Sequence, residues 1–224
     1  MIVVVLLGAP GAGKGTQAPI LAQQLRVPHV STGDLFRAAV RDGSPVGLQA
    51  RRFMERGQLV PDDITITMLL DRLTQLDARD GVILDGFPRN RAQALALDAA
   101  LAERGTAVAS ALSIDVPVEE LVRRLSGRWV CSASGHVYNE HSNRPRVEGV
   151  CDLDGSPLIQ REDDRAATIR ARMDLTLANL AEVAEHYGQI GVLRSVDGLQ
   201  SIASVTSDLI EHLDRDLAPS KADH

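Results

Sequence analysis

The chain reads as an α/β protein whose sheet is parallel and covered by helices on both faces. Three observations predict this. Short apolar runs alternate with longer amphipathic stretches along nearly all of the 224 residues, the signature of strand–helix–strand units. The runs are near-continuous in Val, Ile and Leu, as strands buried on both faces are. A glycine-rich segment, GAPGAGKGT, stands directly between the first apolar run and the first amphipathic stretch.

Strands are predicted, in order, at Ile2–Leu7, Pro28–Val30, Val82–Leu84, Ala109–Ile114 and Val192–Val196. Helices are predicted at Lys14–Leu25, Asp34–Asp42, Val46–Arg56, Asp62–Ala78, Arg91–Arg104, Val118–Ser126, Arg165–Tyr187 and Gln200–Leu213. The stretch from about Gly127 to Gln160 breaks the rhythm with Gly, Ser, Asn and Pro. A structureless loop of that length is rare in a compact domain, so a small inserted unit with its own hairpins is expected. The tail 218–224 is polar and is expected to fray.

Composition narrows the function. Aromatics are 3% of the chain, which leaves few rings on which nucleic-acid bases could stack. Lys and Arg total 24 against 30 Asp and Glu, a formal charge of −6, so no broad polyanion-binding face is expected. Any anionic ligand must be met by a local cluster of positive charge. Two cysteines are too few for a disulfide scaffold, which fits a cytoplasmic protein. MIVVVLL ends at Gly8, far short of the roughly 20 residues that span a bilayer. It carries neither the basic start nor the cleavage site of a signal peptide.

The chemistry starts behind the first strand. Gly8, Gly13 and Lys14 satisfy G-x-x-x-x-G-K, a phosphate-binding loop. Backbone amides curl around the anion there, the next helix aims its N-terminus at it, and Lys14 adds a charge at the β/γ-phosphates. Where a metal-binding hydroxyl is usual stands Gly15, with Thr16 one residue later. Mg²⁺ is therefore expected on phosphates, waters and a carboxylate. Asp85 closes the run VILD at the carboxyl edge of a strand, where ligands of open α/β folds bind, and is the candidate. Asp34 is a further candidate, acting through water. Arg37 and Arg89 come after STGD and DGFP, at the same edge. Phosphoryl transfer needs such charges, and an arginine aimed at the transferring group is worth about 10³–10⁵ in rate.

Taken together, GAPGAGKGT, STGD-x-x-R, LDGFPR-x-x-x-Q, V-x-x-R-L-x-G-R and R-x-D-D-x-x-x-T-x-x-x-R resemble the adenylate kinase family in its long-lid bacterial form. The resemblance implies a P-loop NTPase-type three-layer fold with a five-stranded parallel sheet. It implies a CORE at 1–30, 61–126 and 165–217, a helical AMP-binding unit at 31–60 and a small β-rich LID at 127–164. The implied reaction is reversible transfer of the terminal phosphoryl of ATP to AMP, giving two ADP, with Mg²⁺. Partners are the nucleotides alone, without nucleic acid or membrane, and the chain is expected to be a monomer.

Residue by residue, the matching motifs put ATP on Gly11, Ala12, Gly13, Lys14, Gly15 and Thr16, with Arg124 packing on its adenine. Arg128 reaches the phosphates, near Val137 and Tyr138, and Gln200 stands near the adenine where lysine is frequent. AMP falls to Thr32, Arg37, Gln58, Leu59, Val60, Gly86, Phe87, Pro88, Arg89 and Gln93, the last on its adenine. Arg161 and Arg172 descend onto the transferring phosphoryl, and Asp163 and Asp164 either orient these arginines and form closing contacts or simply start the following helix. The catalytic charges are thus Lys14, Arg37, Arg89, Arg128, Arg161 and Arg172.

Two other readings compete. One is a different nucleoside monophosphate kinase, for UMP or CMP or with GTP as donor; Thr32 and the long lid oppose it. The other is a nucleotide-sensing module without turnover, which has no use for the full arginine set. Three departures stand out: Pro19 inside the first helix, where a kink or a loosened turn is expected, Trp129 where arginine is common, and Gln200. The LID carries Cys131, Ser134, Cys151 and Asp154 at a spacing where the family places either four zinc ligands or a hydrogen-bonded polar set. A serine hydroxyl is a poor zinc ligand, so the metal-free set is the expectation. Zinc on Cys131, Cys151 and Asp154, completed by His136 or water, and a Cys131–Cys151 disulfide are the alternatives.

Overall fold

The computed structural model describes residues 1–56, 58–160 and 166–218, the side chains of 166–168 and 170–172 excepted. Five parallel strands form its main sheet: β1 (Ile2–Leu7), β2 (His29–Ser31), β3 (Gly81–Asp85), β4 (Val108–Asp115) and β8 (Leu193–Asp197). Their spatial order is β2-β3-β1-β4-β8. The α/β expectation with five parallel strands therefore holds.

β1 shows why these runs become central strands. Val3 to Leu7 are between 0% and 2% exposed, so both faces of the strand are covered. Val4 and Leu6 pack on one side with α1 (Lys14–Leu25), α6 (Val118–Ser126) and α8 (Ile202–Leu217). Val3, Val5 and Leu7 pack on the other with α4 (Asp62–Arg72) and α5 (Arg91–Ala102). The split obeys the two-residue period of a strand. Full burial of each such side chain contributes about 1.5–3 kcal/mol. α7 (Ala166–Ile190) serves both faces, with Met173 on the first and Val183 and Tyr187 on the second.

Two smaller assemblies leave this core. α2 (Thr32–Arg41) and α3 (Pro45–Met54) come after β2 and enclose their own cluster of Phe36, Ala50 and Val60. They touch so closely that a Cβ on Gly47 would lie 2.0 Å from the Ala39 carbonyl oxygen, which requires glycine there. After α6 come β5 (Arg128–Cys131), β6 (Val137–Asn139) and β7 (Leu158–Ile159), an antiparallel sheet in the order β6-β5-β7. Cys131, Tyr138, Cys151 and Leu158 form its separate core, with Trp129 packed against it.

Element ends depart from the sequence reading where polar chemistry intervenes. Ser31 closes β2 and caps α2 by accepting from the Asp34 N–H at 3.3 Å, so α2 starts at Thr32 rather than Asp34. The helix expected to reach Ala78 stops at Arg72 and is succeeded by a 3₁₀ turn, Leu76–Ala78. Arg72 grips Asp77 with two bonds of 2.9 and 2.6 Å across that break. α1 runs through Pro19 to Leu25 as one helix. Among the described residues no helix is long and apolar enough to cross a membrane. Of the expected tail, only Ala218 lies within the described residues.

Candidate active site

One cleft of about 1150 Å³ opens at the carboxyl ends of the parallel strands. Its floor is the loop after β1. Gly13 caps α1 with φ +109°, a left-handed conformation that glycine adopts without strain, and turns the first amides of the helix toward the cleft. The Lys14 ammonium donates to the carbonyl oxygens of Gly8 at 2.6 Å and Ala9 at 3.2 Å, which keeps its charge over the loop.

Asp85 ends β3, in register with Leu6 of β1 and Ser31 of β2, and so stands beside this loop. His29 Nε2 lies 3.5 Å from its Oδ2, longer than a well-formed hydrogen bond. Burial favours the neutral acid, but contact with His29 and the charges of Lys14, His29 and Arg89 outweigh it. The net effect holds Asp85 below the ordinary aspartate range, as a carboxylate.

The turn after β3 gathers the second set. Thr32, 1% exposed, donates its hydroxyl to the Gly86 carbonyl at 2.7 Å, and Arg89 Nε donates to the same oxygen at 2.7 Å. The Arg89 N–H donates to Gln93 Oε1 at 2.8 Å, and Gln93 Nε2 donates to Asp62 Oδ1 at 2.7 Å. Arg37 Nη2 meets Asp34 at 2.6 Å, so that carboxylate is engaged by its own helix neighbour.

On the opposite wall Glu120 accepts from Arg123 and, at 2.7 Å, from Arg124 Nε. Arg124 Nη2 also donates to the Gly198 carbonyl at 2.9 Å, which fixes the guanidinium beside the loop before α8. Bonds to Arg123 and Arg124 pull the Glu120 carboxyl down to about 2 against a small opposing effect of burial. Gln200 Nε2 donates to Asp208. Gln17, buried in α1, joins α8 by donating to the Ile202 carbonyl and accepting from Thr206.

The cleft wall contains nearly every residue singled out from the sequence: Gly11 to Thr16, Thr32, Asp34, Arg37, Gln58 to Val60, Asp85, Gly86, Pro88, Arg89 and Gln93 from one side. Arg124, Arg128, Val137, Tyr138 and Gln200 line it from the other. Among the described residues assigned to the nucleotides, Phe87 is the exception. It is 1% exposed and packs in the core with Leu84 and Leu97, so its side chain anchors the turn whose neighbours face the ligand space. Arg161, Asp163, Asp164 and the side chain of Arg172 lie outside the described residues.

Sequence reasoning does not single out His29, Gln17, Asp62 or Glu120. Only Glu120 leaves a trace, a carboxylate three and four residues ahead of two arginines on one helix. His29 and Gln17 are polar residues inside apolar patterns, and their role depends on which strand or helix lies beside them.

Next to the cleft, the lid cysteines sit in a cluster. One donor atom each from Cys131, His136, Cys151 and Asp154 lies within 4.8 Å of all the others. Ser134 donates its hydroxyl to Asp154, Cys131 Sγ lies 3.3 Å from both Asp154 oxygens, and His136 Nδ1 lies 3.3 Å from Cys151 Sγ. Both thiols are free.

Comparison with known proteins agrees with this geometry. The family model described as adenylate kinase matches residues 6–192. The adenylate kinase of Staphylococcus aureus (strain Mu50 / ATCC 700699) is 42% identical over 211 residues, covering 94% of this chain and 98% of the relative. That of Staphylococcus epidermidis (strain ATCC 12228 / FDA PCI 1200) matches with the same identity and coverage. A phosphate-binding loop, an ionised strand-end carboxylate and converging arginines thus occur in a sequence that is near full-length similar to these enzymes. The chain belongs to the adenylate kinase family.

Proposed function

We infer that the cleft performs the family reaction, reversible transfer of the terminal phosphoryl of ATP to AMP giving two ADP. The observation that carries it is the convergence of Lys14, Asp85 and Arg89 at one sheet edge.

The attacking group is a phosphate oxygen of AMP. A phosphate monoester has a second pKa near 6, so this oxygen is largely ionised at neutral pH and needs no general base. Asp85, held ionised, is accordingly a charge-positioning group and not a proton acceptor. The difficulty lies in bringing two polyanions together, and the chain meets it with positioning and charge. The amides of Gly11 to Thr16 cradle the donor phosphates, and Lys14 swings from the Gly8 and Ala9 carbonyls onto the β/γ-phosphates. Arg124 packs on the donor adenine and Arg128 reaches its phosphates. Arg37 and Arg89 hold the acceptor phosphate, with Arg161 and Arg172 completing the charge on the moving group. As the bond from the acceptor oxygen to phosphorus forms, the bond to the leaving ADP oxygen breaks, and its charge is taken by the same cations.

A buried, ionised carboxylate on the cleft wall fits a hard cation bound through water, so Asp85 is the residue that would hold Mg²⁺. Bound there with ATP, Mg²⁺ supplies neutralisation of β- and γ-oxygen charge. Asp34, engaged by Arg37, contributes only beyond a layer of water.

The moving parts are the units 31–60 and 127–164 about a core of 1–30, 61–126 and 165–217, a division supported by their separate apolar clusters. Closing excludes water, which would otherwise accept the phosphoryl. The lid donors Cys131, His136, Cys151 and Asp154 also fit Zn²⁺ in type, two thiols, an imidazole and a carboxylate. The Ser134 hydroxyl, a poor zinc ligand that donates to Asp154, supports the metal-free clamp instead. A cytoplasmic monomer remains the setting of this reading.

Steady-state rates with AMP, UMP, CMP and GMP, each crossed with MgATP and MgGTP, test it. Turnover is expected with AMP and MgATP far above every other pair and is abolished by chelating Mg²⁺. A preference for UMP or CMP, or tight nucleotide binding without turnover, overturns it.

A further inference from the structure

Gln93 is the residue assigned to the acceptor adenine, and the role of its partner Asp62 rests on that reading of the cleft. A glutamine amide is ambiguous as a reader of bases, because turning it over exchanges its donor and acceptor ends. In this chain the exchange is blocked at both ends. Gln93 Nε2 donates to Asp62 Oδ1 at 2.7 Å, and Gln93 Oε1 accepts from the Arg89 N–H at 2.8 Å. A carboxylate only accepts and a peptide N–H only donates. A turned amide would set oxygen against carboxylate and N–H against N–H, two repulsive contacts in place of two bonds.

Asp62 is itself held. Asn90 Nδ2 donates to its two oxygens at 3.0 and 3.1 Å, while Asn90 Oδ1 caps α5 by accepting from the Gln93 N–H at 2.9 Å. Asp62 also lies in the first turn of α4, where a carboxylate is favoured by the helix dipole. Gln93 lines the cleft, whereas Asp62 stands behind it and does not.

We propose that Asp62 is a positioning residue that sets acceptor-base choice, by locking the Gln93 amide in the one orientation that pairs with a 6-aminopurine. Each end of the locked amide keeps one free site, a second N–H on Nε2 and a second lone pair on Oε1. Adenine offers the complement, an amino donor beside a ring-nitrogen acceptor. A 6-oxopurine puts an acceptor where adenine has the amino donor and, on its N1 edge, a donor where adenine has an acceptor. The lock therefore turns a tolerant amide into a discriminating one, acting against 6-oxopurine nucleoside monophosphates.

The test is the ratio of kcat/KM for AMP to that for inosine 5′-monophosphate, with MgATP as donor, in the full chain. Asp62→Ala should lower the ratio by about ten-fold or more, chiefly through a higher KM for AMP. Asp62→Asn, whose own oxygen can still face Gln93, should lower it less. Asp63→Ala is the control, since Asp63 occupies the same first turn, is exposed and makes no hydrogen bond to Gln93. Its ratio should equal that of the wild type. A wild type that favours AMP, with both Asp62 variants keeping its ratio even at reduced kcat, overturns the proposal alone. A wild type unable to phosphorylate AMP overturns the reading of the site along with it.

Discussion

Arg89 leaves the sheet four residues after Asp85, and its Nε is tied to the Gly86 carbonyl at 2.7 Å. That bond aims the guanidinium along the cleft wall that Arg89 lines. Removing an aimed charge from a transition state costs far more than removing an exposed ion pair, which is worth about 0–1 kcal/mol. Arg89→Ala is thus expected to lower kcat by about 10²–10⁴-fold. The melting temperature should stay within a few degrees, because the packing of this turn comes from Phe87, 1% exposed, and not from the arginine. Near-normal turnover in that variant would remove Arg89 from the mechanism.

Among the elements, α6 couples a helix to a binding site. Val118–Ser126 is among those whose bounds are legible in the sequence, along with β1 and α1, because their apolar periods are interrupted by nothing polar enough to compete. β2 and α2 differ from their expected bounds by one or two residues, since the Ser31 cap is a local hydrogen bond that hydropathy does not register. α4 ends short of its expected bound for a related reason, the Arg72–Asp77 pair that closes the break. The candidate site is legible as motifs, yet its supports are not. Asp62 meets Gln93 across 31 positions and Gln17 meets Thr206 across 189, and no local pattern encodes such contacts. Glu120 belongs to the supports as well. Its folded pKa lies near 2, below the ordinary 4.5, so its pairing favours the folded state fully above pH 4.5 and is lost as pH falls toward 2. Glu120→Gln should therefore show a smaller loss of melting temperature between pH 4.5 and 2 than the wild type. At neutral pH it should raise KM for ATP a few-fold by freeing Arg124, an effect bounded by the modest worth of partly exposed ion pairs. Equal acid sensitivity in the two proteins would show that the pair contributes nothing.

At the scale of the whole molecule, the described residues form apolar clusters that do not merge: two flank the main sheet, one fills α2 and α3, and one fills the β5–β7 sheet. The last is too small to hold itself by burial, with Cys131, Tyr138, Cys151 and Leu158 as its buried members. Below about 40 residues a unit of this kind needs a staple. On the metal-free reading that staple is Asp154, whose carboxyl is held far below the ordinary range by the Ser134 hydroxyl and the Ser156 N–H, with the two thiols adding to both. A depressed carboxyl keeps the clamp intact above about pH 4, the ordinary aspartate pKa, and weakens it as pH falls further. Protein purified without chelator is expected to carry no stoichiometric zinc and to show two titratable thiols. Asp154→Ala should then move the denaturant midpoint of the Trp129 emission, which reports this cluster, well below the far-ultraviolet circular dichroism midpoint, which reports mainly the core. About one zinc per chain, with a melting temperature that drops several degrees on chelation, overturns the metal-free clamp and assigns Cys131, His136, Cys151 and Asp154 to the ion.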